Sequence, residues 1–198
     1  RELAKIESLD GLDAVDVDPR TGGVLYQRTD LVVGEANLAF PLRRTYRPYG
    51  GDQANLGLNW ASSLDVHLDL HPKRTRASFQ DEQGRRYFFE RDKKSEQLVS
   101  VSGPFARIRE LADGYVVRDL GDGRVYRFDQ RGLLRRREGP TSLRIDYRYD
   151  KRARLRVVEG PWGKIELRRD ERGRLAEISA PGKRSLRYRY DAEGNLTK

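Results

Sequence analysis

Apolar and charged residues alternate through much of this chain. Leu143, Ile145, Tyr147 and Tyr149 fall on every second position, as do Leu186, Tyr188 and Tyr190, with mostly Arg or Asp between them. A period of two places the apolar set on one face of a strand and the charged set on the other, so these segments predict half-buried β-strands. Upstream, Leu64, Val66, Leu68 and Leu70 alternate in the same way, and Gly114, Tyr115, Val116 and Val117 lead through Gly121, Asp122 and Gly123 into another strand. Helical spacing is confined to the first dozen residues, where Leu3, Ile6 and Leu9 predict one short helical turn.

The alternation is organised by a repeat. Four segments align on an aspartate, ending at Asp129, Asp150, Asp170 and Asp191 with spacings of 21, 20 and 21 residues. Tyr126 and Phe128, Tyr147 and Tyr149, and Tyr188 and Tyr190 precede three of them. Three residues after each Asp comes Gly132, Ala153, Gly173 or Gly194, and five after it comes Leu134, Leu155, Leu175 or Leu196. Eleven after the first three come Pro140, Pro161 and Pro181.

Each position has a physical reason. Asp accepts bonds from backbone amides ahead of it and Gly takes the positive φ that closes a hairpin, so Asp-x-x-Gly predicts a tight turn. A second strand begins at the Leu, and Gly-Pro or Ala-Pro ends it. Asp81 to Gly84 carries the same turn signature. One hairpin buries too little apolar surface to stand alone, which predicts stacked units with ladders of Tyr, Phe and Leu. The third unit departs from the pattern, with Leu167 and Arg169 in place of aromatics, and the fourth stops at Lys198 soon after its turn, which predicts an array that needs a continuation.

Composition narrows the class. Hydrophobic and charged residues each make up 36%, which suits a thin sheet with wet surfaces better than a deep core. The net charge of +9 is spread among both signs, as at Arg168, Arg169, Asp170, Glu171 and Arg172, so a solvated β-surface is expected rather than specific nucleic-acid binding. No apolar run reaches the ~18 residues of a membrane span, and no segment has a signal-peptide layout. The chain has no Cys, hence neither disulfides nor thiolate metal sites.

Residues 16 to 60 have a different texture, with Thr21-Gly22, Thr29-Asp30, Leu38 to Leu42, Arg44 to Tyr46 and Leu56 to Trp60 as short strands between turns. In this order, and followed by the Tyr-x-Tyr-Asp-x-x-Gly-x-Leu units, they resemble Rhs and YD-repeat proteins over residues 16–198, with small departures at Phe40-Pro41-Leu42 and Leu58-Asn59. The expected fold is all-β, antiparallel β-hairpin repeats forming a spiralling ribbon: residues 1–15 a linker or short helix, 16–63 the domain that precedes the repeats, 64–125 irregular hairpins, and 126–198 the repeats.

The resemblance implies a shell that encapsulates or presents a C-terminal toxin for delivery to competing bacteria. The partners implied are the rest of the shell, its toxin and secretion-system spike proteins, with self-association through β-edges also expected. The protein would be made in the bacterial cytoplasm and exported by a specialised system such as type VI secretion. A cell-surface adhesion or glycan-binding module is the alternative. Neither the Asp-Pro cleavage motif of the shell's far end nor a toxin domain is present; Asp18-Pro19 reads as an ordinary turn.

No cofactor and no enzymatic activity are expected. Asp65, His67, Asp69 and His71, on one face of a strand, could hold a divalent metal, but groups two apart lie about 7 Å from one another and seldom chelate one ion without a second strand. The repeat's Asp and Gly residues read as architectural. Arg135, Arg136 and Arg137 read as a solvated face, and Trp162 as a turn residue packed on the next hairpin.

Overall fold

A computed structural model describes residues 13–17, 22–35, 38–47, 53–101, 103, 105–139 and 143–197. The helical turn expected at Leu3 to Leu9, the Asp18-Pro19 turn, Thr21 and Pro140 lie outside these residues. Near the N-terminus β1 (Asp13–Val17), β2 (Val24–Val33) and β3 (Phe40–Tyr46) form an antiparallel sheet. A two-stranded hairpin, β4 (Gln53–Ala54) and β5 (Gly57–Leu58), precedes β6 (Trp60–Ser62), which joins the first sheet beside β3.

Thirteen strands then follow as one antiparallel meander, each paired with its neighbours in sequence. Its first half comprises β7 (His67–Leu70), β8 (Arg76–Gln80), β9 (Arg86–Arg91), β10 (Leu98–Ser100), β11 (Phe105–Leu111) and β12 (Gly114–Asp119). The repeats supply β13 (Val125–Asp129), β14 (Leu134–Glu138), β15 (Arg144–Tyr149), β16 (Leu155–Gly160), β17 (Gly163–Arg169), β18 (Leu175–Ala180) and β19 (Arg184–Arg187). The alternation at 64 to 70 predicted one strand; regular pairing starts only at His67, because Asp65 is drawn into the loop before it.

The repeat turns share one geometry. In each, the Asp amide donates to the carbonyl four residues on, and the residue three ahead donates back to the Asp carbonyl. The carboxylate then collects the loop amides: Asp129 Oδ1 accepts from Arg131 and Leu133, each at 3.0 Å, and Asp150 Oδ1 accepts from Arg152 and Arg154 at 2.9 and 3.0 Å. This is a type I turn closed by a residue of positive φ, the usual three-residue hairpin loop. Asp81 builds the same turn between β8 and β9.

Past each turn the returning strand carries one extra residue. Arg127 faces Arg136 but Phe128 faces Leu134, which leaves Arg135 bulged; Arg156 and Ala176 are bulged at the same place in the next two units. The bulge moves the inward set from every second residue to a spacing of three, so Leu134 with Arg137, Leu155 with Val158, and Leu175 with Ile178 are all buried. That corrects the expectation for Arg137, which points into the core while Arg135 stays outside. A bulge also bends its strand and raises the local twist, so repetition in one sense coils the sheet.

The coil brings distant strands together on its inner face. Phe79 of β8 lies 5.0 Å from Tyr126 and 6.0 Å from Phe128 of β13, centroid to centroid. Edge strand β7 meets the turn after β13, where the Leu68 amide donates to the Gly132 carbonyl at 3.0 Å and His67 bridges Leu133. The repeat-core residues Tyr126, Phe128, Leu134, Tyr147, Leu155, Leu175 and Tyr188 are buried, whereas Tyr149, Tyr190 and Leu196 pack half-buried at its margin. Each fully buried aliphatic or aromatic side chain contributes about 1.5–3 kcal/mol. Outside, cross-strand pairs such as Arg127–Glu138, Arg136–Asp146 and Arg148–Glu159 make an ionic ladder at 2.6–3.0 Å.

Two substitutions test the turn residues, Gly132→Ala adding a clash to the strain of a positive φ. Ala153 holds the left-handed conformation at φ 59°, so Ala153→Gly is expected to raise the unfolding free energy by about 1 kcal/mol in urea denaturation. A Cβ on Gly132 would fall 1.8 Å from the Leu68 carbonyl oxygen, so Gly132→Ala is expected to open the β7 contact and lower the denaturation midpoint.

Candidate functional site

The chemistry of the inner face centres on Glu82, which the Asp81 turn projects from the β8–β9 connection into the coil. Its carboxylate accepts from Arg137 Nη1 at 2.8 Å, Arg124 Nη1 at 3.4 Å, and the Tyr126 hydroxyl at 3.1 and 3.2 Å. Burial opposes the charged carboxylate, but the Arg137 and Arg124 charges prevail and hold its pKa below the ordinary glutamate range. Burial and the Glu82 charge push the Tyr126 hydroxyl up, so it remains a donor. Arg137 also lies over the Phe40 ring, 5.3 Å from its centroid, and so ties β3 to the cluster. Among the described residues the buried Tyr147 hydroxyl has no hydrogen-bond partner.

A second group joins the N-terminal region to the repeats. Asp65 is buried and accepts from the Ser62 amide and hydroxyl at 2.7 and 2.8 Å, and from the Asn55 side chain; burial raises its pKa despite these bonds. Asn55 in turn accepts from Arg169 through its side chain and from the Leu175 amide through its carbonyl, at 3.2 Å for the latter. Arg169 is the position where neighbouring repeats carry Tyr149 and Tyr190. Its guanidinium takes the Asn55 side chain, while the Tyr190 hydroxyl one unit later donates to the Asn55 carbonyl at 3.4 Å.

Of the four metal candidates, the structure brings two together. His67 Nε2 lies 3.1 Å from Asp69 Oδ2, and its Nδ1 lies 2.7 Å from the Asp65 carbonyl. Burial works against its charged form, yet the bond to Asp69 and the Asp65 carbonyl leave its pKa raised. The Asp65 carboxylate is already occupied, and His71, beyond the strand, accepts from the Lys73 amide. Among the described residues no three His, Asp or Glu side chains converge as a metal site.

The turn aspartates Asp129, Asp150, Asp170 and Asp191, with Gly132, Gly173 and Gly194, hold the repeat loops and do not converge on a common point. An Arg or Asn four residues on, Arg154, Arg174 or Asn195, also bonds the outer carboxylate oxygen, and the Arg154 amide and guanidinium hold Asp150 down to about 2. Trp162 packs on Phe40, with ring centroids 5.5 Å apart, and against Gly34. The Glu82 cluster was missing from the sequence reading. Its signal was the bulge, which only the pairing register reveals.

Glu82→Gln leaves Arg137 buried without its counter-charge, and is expected to cost about 3–5 kcal/mol at neutral pH. A carboxylate held below its unfolded pKa stabilises the fold above the ordinary range and loses that contribution as pH falls through its folded value. Stability is therefore expected to fall as pH drops below about 4 and on toward the Asp150 value of about 2, more steeply in the parent than in Glu82→Gln, by denaturation at pH 7 and pH 3.

Two family models match the chain. One, described as a domain of unknown function, DUF6531, covers residues 15–89 and so runs from β1 into β9, including the Asp81 turn and Glu82. The other, RHS repeat, covers residues 169–198, which hold the Asp170 and Asp191 turns with β18 and β19 between them. No curated protein matches the chain significantly. With its tandem Asp-x-x-Gly hairpins paired into one coiling ribbon, this chain is an Rhs/YD-repeat protein.

Proposed function

We infer that this chain forms part of the wall of an Rhs shell that encloses a C-terminal toxin for delivery to competing cells. The observation that carries the reading is the repeated bulge: it turns each hairpin in the same sense, so a ribbon of such units curves around a space instead of extending flat. The role is structural, and the residues that serve it are the turn aspartates, the inward aromatic and aliphatic ladder, and the Glu82 cluster. The partners are the rest of the shell, the enclosed toxin and the spike proteins of a specialised secretion system, through which the protein leaves the bacterial cytoplasm. The adhesion reading has less support, because the repeat aromatics it would use for glycans turn inward while the outer face is an ionic ladder.

In the protein expressed from its native reading frame, a toxin domain enclosed by the shell is expected to resist protease that rapidly digests the same domain expressed alone. Electron microscopy should place it inside a closed wall. Equal digestion rates, or toxin density outside the wall, would refute encapsulation.

A further inference from the structure

One face of the N-terminal sheet is covered over half its length. At the β2–β3 tip, Leu31 faces Leu42 and Val33 faces Phe40, and all four are buried beneath the repeats. The same face continues past the bulge between Thr29 and Leu31 as a row of directly opposed residues across all four strands: Val15, Tyr26, Tyr46 and Trp60. Trp60 packs against both tyrosines, with centroids 6.2 and 5.3 Å away. Val17 faces Val24 beside this row, and Val15, Val17 and Val24 are 70%, 53% and 52% exposed. A contiguous apolar strip of this kind marks a contact surface.

The covered half shows what covers it. Trp162, in the β16–β17 turn, packs against Gly34 and Phe40. One repeat later Arg184, at the start of β19 and two residues past the position equivalent to Trp162, donates to the Val32 carbonyl at 2.8 Å. Just beyond β19, the Tyr188 hydroxyl donates to Asp30 at 3.1 Å, and Arg44 lies over both the Tyr188 and Trp60 rings. Contacts thus step from Gly34, just past β2, to Val32 and Asp30 as the ribbon advances. Beyond Arg28, the half-buried Tyr26 and the exposed Val24 come next in that direction, beside an interface already formed.

We propose that the strip of Val15, Val17, Val24, Tyr26, Tyr46 and Trp60 is the seat of a further hairpin of the repeat class, added along the β19 edge. Such a hairpin presents an inward row of tyrosine and aliphatic side chains that matches the strip, as Tyr188 and Leu186 do one step earlier. The proposal rests on the shell reading and deepens it: the N-terminal sheet is a former on which the early repeats are laid in order.

The test lengthens the chain by a copy of residues 178–198 after Lys198, which keeps the repeat register, in a Trp162→Phe background where Trp60 is the sole tryptophan. Lengthening is expected to shift Trp60 emission to the blue and to lower its quenching by acrylamide several-fold. Val15→Lys with Val24→Lys should reverse both effects and lower the Tm of the lengthened chain, while leaving the Tm of the original unchanged. Trp60 quenched equally in both chains would overturn the proposal. So would a concentration-dependent dimer of the original chain that covers Trp60 and is lost with Val15→Lys, since the occupant would then be a second copy. Protease sensitivity of the toxin domain with Trp60 still covered would sink encapsulation and leave this contact standing.

Discussion

A single surplus residue on each returning strand is the constraint from which the rest of the architecture follows. In the repeats the Asp-centred turn fixes where the hairpin reverses, and the residue after the recurring Leu is left out of register. Without it, Leu134 and Arg137 would face opposite sides and the repeat ribbon would twist less. The turn alone does not produce it, since the Asp81 turn joins β8 and β9 with no shift of register; in the repeats the bulge, six residues past the turn Asp, decides which side chains beyond it are inside.

Coiling an arginine-rich sheet has an electrostatic cost. Arg137 is carried into the core by the bulge, where an unpaired guanidinium is strongly unfavourable. Glu82, from a turn fifty-five residues earlier, neutralises it while also accepting from the Tyr126 hydroxyl and from Arg124, which has Asp122 as a second counter-ion. The pair links the start of the ribbon to the first repeat and, through the Phe40 ring, to the N-terminal sheet. Its value lies in specifying which surfaces meet, since an apolar pair of similar size could bury there as well.

The strands, the turns and the repeat period were legible in the sequence because each rests on local rules: alternation, the Asp amide bonds and a positive φ. The all-β ribbon follows from those, and the kinship from the resemblance of residues 16–60 and the repeat units, in that order, to Rhs and YD-repeat proteins. Arg137 was misplaced because strict alternation was carried through a bulge. The Glu82 cluster was invisible because its members are joined only by the coil. Trp162 was rightly expected to pack, but its partner Phe40 belongs to a sheet more than a hundred residues away, and no local pattern could name it.

Arg169 has a further consequence. Repeats that share one geometry are interchangeable, so a ribbon of them has no internal landmark by which the N-terminal segment could locate itself. By substituting a guanidinium for an aromatic ring in one unit, the chain gives the Asn55 side chain a donor that the equivalent Tyr149 and Tyr190 do not supply. Gain or loss of one repeat upstream of that donor would shift it by a whole hairpin. The apparent degeneracy of the third unit is thus an index mark, and it makes the number of hairpins before it a countable property of the fold.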